Sequence, residues 1–545
     1  MNGAVRSRTG RRWALWLLLA ATIGGGAVRF GGILWGLPAT LHADEWVIVE
    51  YAIDMARRNS FEPAFFARPD HLEIQLSYLA YQLWAHLGHG TTPELLYAVS
   101  PAPFYAISRA ITAFFGTAMI PLAFLIGRVV SRPTAPIMAV FVALFPPFVE
   151  HSRYATPDIP LTFTVMVVIL GSLRYLRTSS WGDLLLACTG VALGITVKYP
   201  AVVGCVIIAA VVVIAALRER RPMRIVSRGA AAIGAVLGGT FALSPVLFTN
   251  GGEVLGQLTA QNSAGHLGAS GLGFGGNLLF YVQEVLESGG VLLIIFAIAG
   301  VVWLGLRAPW DLVPFGISAV YWVFLSRLEL HWERWGLPIY LGIVLLGAIG
   351  VSGLSRVALR MSATVPDDAP VERRLAGRAG PWTIGILFSL SAVTLASGSL
   401  AQLAYALAPD TRVVAASALT VRGVTAENTA YDGYTPFQTD DPDTIAIWLS
   451  VADDALEAEP GIEYILTSSL MANRYLADKE RPEHEVYVRV AADLPEIERW
   501  TPSGTPPEGM WEIERIVRTL PYLWQTFGGG MSGPELVLYG WPVGA

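Results

Sequence analysis

Gly36-Leu37-Pro38-Ala39-Thr40-Leu41-His42-Ala43-Asp44-Glu45 is the stretch that decides how this chain is read. A long apolar run ends there, and two adjacent carboxylates follow within a few residues. Carboxylates just beyond an apolar span of a multi-helix protein are usually placed to meet something at the bilayer edge. A base held at that depth can act on a substrate carried by a lipid. The plainer alternative makes the pair a solvated loop, or makes Asp44 the N-cap of a helix running through Met55.

The rest of the chain supplies the membrane. Of its 545 residues, 53% are hydrophobic and 15% charged, whereas a soluble domain carries about 25% charged residues. Apolar runs of roughly 18 residues or more mark membrane helices. The expected spans are 13–37, 104–130, 133–150, 158–176, 183–200, 201–217, 228–249, 288–306, 310–326, 336–355 and 382–404. The first is too long for a signal peptide and has no small-x-small cleavage site after it. A net charge of −6 argues against a nucleic-acid partner. Cys188 and Cys205 lie in apolar runs and read as inert core thiols.

Arginine placement orients the spans. Arg6, Arg8, Arg11 and Arg12 precede the first. Arg128 and Arg132, then Arg174 and Arg177, then Arg218, Arg220, Arg221, Arg224 and Arg228 fill alternate connections, and 354–381 adds Arg356, Arg360, Arg373, Arg374 and Arg378. With eleven spans all fall on one side, which the positive-inside rule makes cytoplasmic, together with the N-terminus. The external side of this plasma-membrane protein receives loop 42–103, the turn 150–157, the turn at Lys198, loop 250–287, the turn 327–335 and the tail 405–545.

Within loop 42–103, the segment Leu72 to Leu87 reads as an amphipathic helix lying on the membrane. Loop 250–287 contains Gly265, Gly268, Gly271, Gly273, Gly275 and Gly276 and reads as a mobile lid or a plain connector. The tail is polar and acidic, with strand-like Tyr464-Ile465-Leu466-Thr467 and Glu535-Leu536-Val537-Leu538-Tyr539 and helical stretches around Trp448 and Tyr475. The chain thus divides into a membrane domain, 1–404, and a small external α/β domain, 405–545.

Every chemistry-bearing cluster falls on the external side. Asp44 and Glu45 offer a general base or a metal ligand. His151-Ser152-Arg153-Tyr154-Ala155-Thr156-Pro157-Asp158 is a polar turn between spans. Asp158 sits at the level of Asp44, although an Asp opening a helix is also a routine partner of the helix dipole. Arg153 could pair with Asp158 or grip a phosphate. Lys198, before Tyr199 and Pro200, stands out because only it and Lys479 among 37 basic residues are lysine. Arg334, in His331-Trp332-Glu333-Arg334-Trp335, is a second cation on a side that normally has few. Both would neutralise a lipid phosphate; snorkelling, or pairing with Glu329 or Glu333, is the competing reading. Arg29, inside the first apolar run, needs a partner of its own. No nucleotide-binding loop, zinc spacing or nucleophile elbow is present, so an activated substrate would have to arrive on a lipid.

These motifs resemble glycosyltransferase family 39 of the GT-C superfamily, which includes protein mannosyltransferases and aminoarabinose transferases. Arg29…Gly36-Leu37-Pro38…His42-x-Asp44-Glu45 and Phe61-x-Pro63-x-Phe65-Phe66 are similar to the family's first external loop. His151-Ser152-Arg153-Tyr154-Ala155-Thr156-x-Asp158-x-Pro160-Leu161, Thr196-x-Lys198-Tyr199-Pro200-Ala201 and Arg334…Pro338 follow in the family's order. Arg68-Pro69-Asp70-His71 departs from it, where relatives often carry an aromatic-Pro-Ser stretch.

The resemblance implies a mainly α, polytopic GT-C bundle of about eleven helices that moves a sugar from a polyprenyl monophosphate to a hydroxyl on a protein, glycolipid or cell-surface glycan, with inversion. Asp44 would be the base and Glu45 its support. Lys198, Arg334 and Arg153 would hold the donor phosphate, and His42, Asp158, Tyr199, His151 and Arg29 would support or bind substrate. No cofactor is certain; Asp44 and Asp158 could hold a divalent cation. A transporter or flippase of lipid-linked sugars is the alternative: it needs the cations but no base, and usually shows internal repeats, which are absent here.

Overall fold

The computed structural model describes residues 2–263, 271–366, 370–437, 461–480 and 482–541. The helical stretch expected around Trp448, and Gly265 and Gly268 of the glycine-rich segment, lie outside the described residues.

Among these residues, seven helices are long and apolar enough to cross a membrane, or nine if each of two bent pairs is one span. They include Arg12–Gly31, Ala102–Val130, Asp158–Thr178, Tyr199–Arg218, Met223–Leu243, Glu333–Ala363 and Ala379–Leu407. The bent pairs are Thr134–Leu144 with Pro146–Arg153, at 61°, and Gly273–Gly289 with Val291–Arg307, at 112°. The expected spans 183–200 and 310–326 coincide with shorter helices, Trp181–Val197 of 17 residues and Leu312–Ser326 of 15. At about 1.5 Å per residue these fall short of a roughly 30 Å hydrocarbon core.

Each break has a local cause. Pro146 and Pro147 lack the N–H that would continue the first helix, and they open a new turn instead. The carbonyls left free at the end of Thr134–Leu144 are met by Arg29, which is fully buried. Its Nη1 donates to Gly25 and Ala143 (2.9 and 3.0 Å) and its Nη2 to Val142 (2.9 Å). This arginine is therefore a structural clamp on a broken helix, away from Asp44 and Asp158. The second break is at Gly290, whose φ of 81° and ψ of 163° only glycine adopts readily.

The bundle closes through small residues. Val291–Arg307 and Leu337–Ala363 cross where a Cβ on Gly350 would come within 1.8 Å of the Phe296 carbonyl, and one on Gly300 within 2.0 Å of the Leu346 carbonyl. Such glycine contacts let membrane helices approach closely. Met119, Phe141, Phe145, Phe148, Met166 and Tyr340 fill the centre.

Loop 42–103 forms a helical cap. Glu45–Arg57 and His71–Leu83 bury Ile48, Val49, Ile53, Ile74 and Tyr81 against Phe104 at the N-terminal end of Ala102–Val130. His71–Leu83 is inverted: His71, Glu73, Gln75, Ser77 and Tyr81 point inward, while Leu79 and Leu83 stay exposed, as does Leu87 just beyond. An apolar stripe therefore faces away from the bundle.

The lid-or-connector reading of 250–287 requires correction. Gly251–Ser263 and Gly273–Gly289 are helices, and the second is half of the pair bent by 112°. Glycine costs about 1 kcal/mol per helical position, but burial of Asn277, Tyr281 and Val285 against the bundle outweighs it.

The tail holds a four-stranded sheet ordered β1 (Thr429–Tyr431), β2 (Tyr464–Ser468), β4 (Leu536–Gly540), β3 (Glu496–Trp500). β1 and β2 run parallel and the other pairs antiparallel. Alternation puts Ile465, Val537 and Tyr539 in one core and Leu466, Leu536 and Leu538 in the other.

Part of the tail leaves this domain and packs on the bundle. Glu512–Phe527 lies on the last span through Tyr522, Ala401 and Ala404. Just before it the chain clasps the Gly290 break. Gly509 N–H donates to Glu287 O (3.2 Å), Val291 N–H to Met510 O (2.9 Å), Leu292 N–H to Glu512 Oε1 (2.6 Å) and Arg515 Nη1 to Ser288 O (2.5 Å).

Candidate active site

Asp44 stands at the N-cap position of Glu45–Arg57 but makes no capping hydrogen bond. Its side chain turns to two cations: Arg334 Nη2 lies 2.6 Å from Oδ2, and Arg68 Nη1 lies 3.3 Å from Oδ1. Burial alone would raise this carboxyl, but the Arg68 and Arg334 guanidiniums hold it well below the usual carboxylate range. Between a cap and a group that faces ligands, the geometry favours the second.

Asp158 opens its helix and is buried. Its Oδ1 accepts from Lys198 Nζ at 2.9 Å, and its Oδ2 lies 3.9 Å from Arg334 Nε. A row of alternating charge results: Arg68, Asp44, Arg334, Asp158, Lys198. The two carboxylates considered for a divalent ion have a guanidinium between them. Lys198 Nζ lies 5.2 Å from the Trp335 ring and Arg334 5.3 Å from Trp332, so aromatic faces flank both cations.

Glu45 follows Asp44 in sequence and points the opposite way. It is fully buried, takes both Nε and Nη2 of Arg109 (2.7 and 2.6 Å), and accepts the Ala155 N–H at 2.8 Å. Arg109 also donates to Ile33 and Trp35 carbonyls. Glu45 thus ties loop 42–103 to the turn carrying Asp158.

The remaining residues divide the same way. His42 accepts the Asp44 N–H on Nδ1 (3.2 Å) and packs on Tyr154, with ring centroids 4.5 Å apart; burial lowers it to about 4, so it is neutral. Tyr199 donates to the Phe66 carbonyl at 2.8 Å and so steadies the strand of chain leading to Arg68. Arg153 turns away from the charge row. Its Nη1 donates to Gln402 O (2.7 Å), its Nη2 to Tyr154 Oη and Gln402 Oε1, and Glu150 lies 3.7 Å away. This guanidinium anchors the last span to the turn. Arg29, in the first helix, donates to carbonyls of the broken pair, and His151 faces Glu150 and Glu333.

Two members escaped the sequence reading. Arg68 completes the row and is oriented by Asp70 (Nε to Oδ2, 2.8 Å), itself held at a φ of 52° with its N–H on Val197 O. Arg109 lies within the span 104–130, where an arginine needs a partner as much as Arg29 does.

A family model described as dolichyl-phosphate-mannose-protein mannosyltransferase matches residues 27–237. That range holds Arg68, Asp44, Asp158 and Lys198 and ends before Arg334. Among solved structures, ArnT from Cupriavidus metallidurans bound to undecaprenyl phosphate is similar with a TM-score of 0.51 and 14% identity, covering 89% of this chain and 95% of that one. Archaeal oligosaccharyltransferase AglB from Archaeoglobus fulgidus gives a TM-score of 0.44 at 12% identity, over 92% of this chain and 74% of that one. No curated protein matches the sequence. The chain is a multi-pass membrane protein that shares its fold with that ArnT structure, and the protein mannosyltransferases that its motifs resemble are the group whose family model matches residues 27–237.

Proposed function

We propose that this GT-C membrane protein is a glycosyltransferase that moves a sugar from a polyprenyl monophosphate to a hydroxyl of a protein, glycolipid or cell-surface glycan on the external face. One observation carries the reading: a carboxylate, Asp44, held between two guanidiniums at the outer ends of the spans, in one row with Asp158 and Lys198. The undecaprenyl phosphate in the ArnT structure supports the donor class. The arginine alternation supports a cytoplasmic N-terminus and an external tail domain after residue 404.

The charge row suggests how the reaction proceeds. The donor phosphodiester takes Lys198 and Arg334, whose guanidinium grips two oxygens at once. As Arg334 turns to the phosphate, Asp44 loses one of the two cations that depress its basicity. The acceptor oxygen attacks the anomeric carbon, its proton goes to Asp44, and the bond from carbon to phosphate oxygen breaks with its electron pair on the phosphate. One displacement inverts the anomeric centre. The leaving phosphate gains a negative charge, and fixed cations stabilise that change. A flippase would need the cations but has no use for a carboxylate between them.

The test is mass analysis of lipids and surface glycans in a strain lacking the gene. A polyprenyl-phosphate sugar should accumulate while that sugar disappears from one acceptor. Unchanged lipids and glycans would overturn the reading.

A further inference from the structure

Next to the charge row lies a second group that the transfer reaction does not use. His151 is 7% exposed, and neither of its ring nitrogens has a hydrogen-bond partner among the described residues. A buried imidazole carries one donor and one acceptor, and leaving both unmet is costly. Glu150 and Glu333 each bring a carboxylate oxygen to it, and the three candidate ligand atoms lie within 4.8 Å of one another.

The carboxylates are not neutralised well by protein. Among the described residues the Glu333 side chain has no hydrogen bond or ion pair. Glu150 accepts from Gln402 Nε2 at 2.8 Å and has Arg153 at 3.7 Å. Both line a small cavity whose wall also carries Glu508, Ser288, Gln402 and Arg515. Arg515 spends its Nη1 on the Glu287 and Ser288 carbonyls. Carboxylates gathered around an unpartnered buried imidazole describe a place for a cation.

We propose that Glu150, His151 and Glu333 form a divalent-metal site. One imidazole nitrogen with two carboxylate oxygens is a donor set that suits zinc above magnesium or calcium, which prefer oxygen alone. With bonds of about 2.0–2.2 Å the three side chains draw together on the ion, and Glu508 or water completes the shell. The ligands come from two connections: His151 precedes Asp158 by seven residues, and Glu333 precedes Arg334 by one. The ion therefore pins the turn that carries Asp158 to the segment that carries Arg334, as a positioning element for the phosphate grip. It is separate from the Asp44 and Asp158 pair, which has Arg334 between its members.

The test reads metal content, so its outcome is independent of whether sugar transfer is the reaction. Purified full-length protein in detergent is exposed to zinc chloride, desalted and measured by elemental analysis, beside Glu333→Gln, His151→Gln and, as a control, Asp44→Asn. About one zinc per chain should remain in wild type and Asp44→Asn, with at least a ten-fold weaker affinity in the other two. No retained zinc in wild type, or zinc lost in Asp44→Asn and kept in Glu333→Gln, would overturn the assignment. Should the site variants aggregate on size exclusion, zinc-edge X-ray absorption on wild type decides alone. A shell of one imidazole and oxygens supports the site, and an all-oxygen or sulfur-bearing shell refutes it.

Discussion

Arg334 closes on Asp44 at 2.6 Å while standing 3.9 Å from Asp158, so one guanidinium is shared by the two carboxylates of the charge row. A phosphate arriving at Arg334 competes with both. In the proposed reaction, donor binding and the basicity of Asp44 would thereby be coupled through a single side chain.

Asp44→Asn keeps size and most hydrogen bonding but cannot take a proton. General-base catalysis contributes typically about 10²–10⁴-fold, so turnover should fall by that factor while polyprenyl-phosphate binding persists. Asn caps a helix as well as Asp does; near-normal turnover would return Asp44 to a capping role. Paired measurements of turnover and donor binding separate the two.

Lys198→Ala and Arg334→Ala should each weaken binding of a polyprenyl phosphate in a detergent competition assay, with the protein still monodisperse. Arg334→Lys should recover part of the loss, because an ammonium cannot offer the bidentate fork. Normal binding in both alanine variants would make these cations structural.

Glu45→Gln and Arg109→Leu test the support. Removing one partner of a buried pair costs about 3–5 kcal/mol, so Arg109→Leu should lower the unfolding temperature strongly and activity with it. Glu45→Gln, which can still accept the Ala155 N–H, should do so less. A loss of turnover in Glu45→Gln with an unchanged unfolding temperature would instead make Glu45 a second acid of the reaction.

His42 gives a pH signature. Burial lowers it to about 4, below the value near 6.5 of an unfolded histidine. Between those values the unfolded chain binds the extra proton, so the stability His42 contributes is present above about 6.5 and lost as pH falls to about 4. Thermal unfolding of wild type should therefore fall more steeply over that window than that of His42→Gln. Parallel curves would show that His42 is freely protonated in the fold.

Topology can be checked by cysteine labelling from outside intact cells. Residues placed in 42–103 and in the tail should react, and residues in 354–381 should not. Labelling of the last segment would reverse the arrangement drawn from the arginines.

The spans were legible because apolar length is a local property, and each expected span meets a helix. That Asp44, Asp158, Lys198 and Arg334 come together was legible because charges flanking spans on one side of a membrane share one level. Arg68 was hidden by its loop, where arginine is ordinary, and its role depends on Asp70 fixing its direction. Arg153 carried the opposite ambiguity. Its place in a motif suggested phosphate, whereas Gln402, 249 residues away, determines where it points. The helices within 250–287 were obscured by glycine, whose local preference is overridden by packing that only the folded bundle supplies.

The clasp at Gly290 bears on how the protein is made. Leu292 and the Glu512 that satisfies it are 220 residues apart, so the ribosome delivers the break long before its closure. Every span, and every charged residue of the row, can be threaded into the bilayer while the backbone at 287–292 still lacks its partners. Assembly thus ends with the tail folding back onto the bundle. A chain interrupted before Gly509 would be inserted with its full charge row but left immature, its wall open at the sharpest bend.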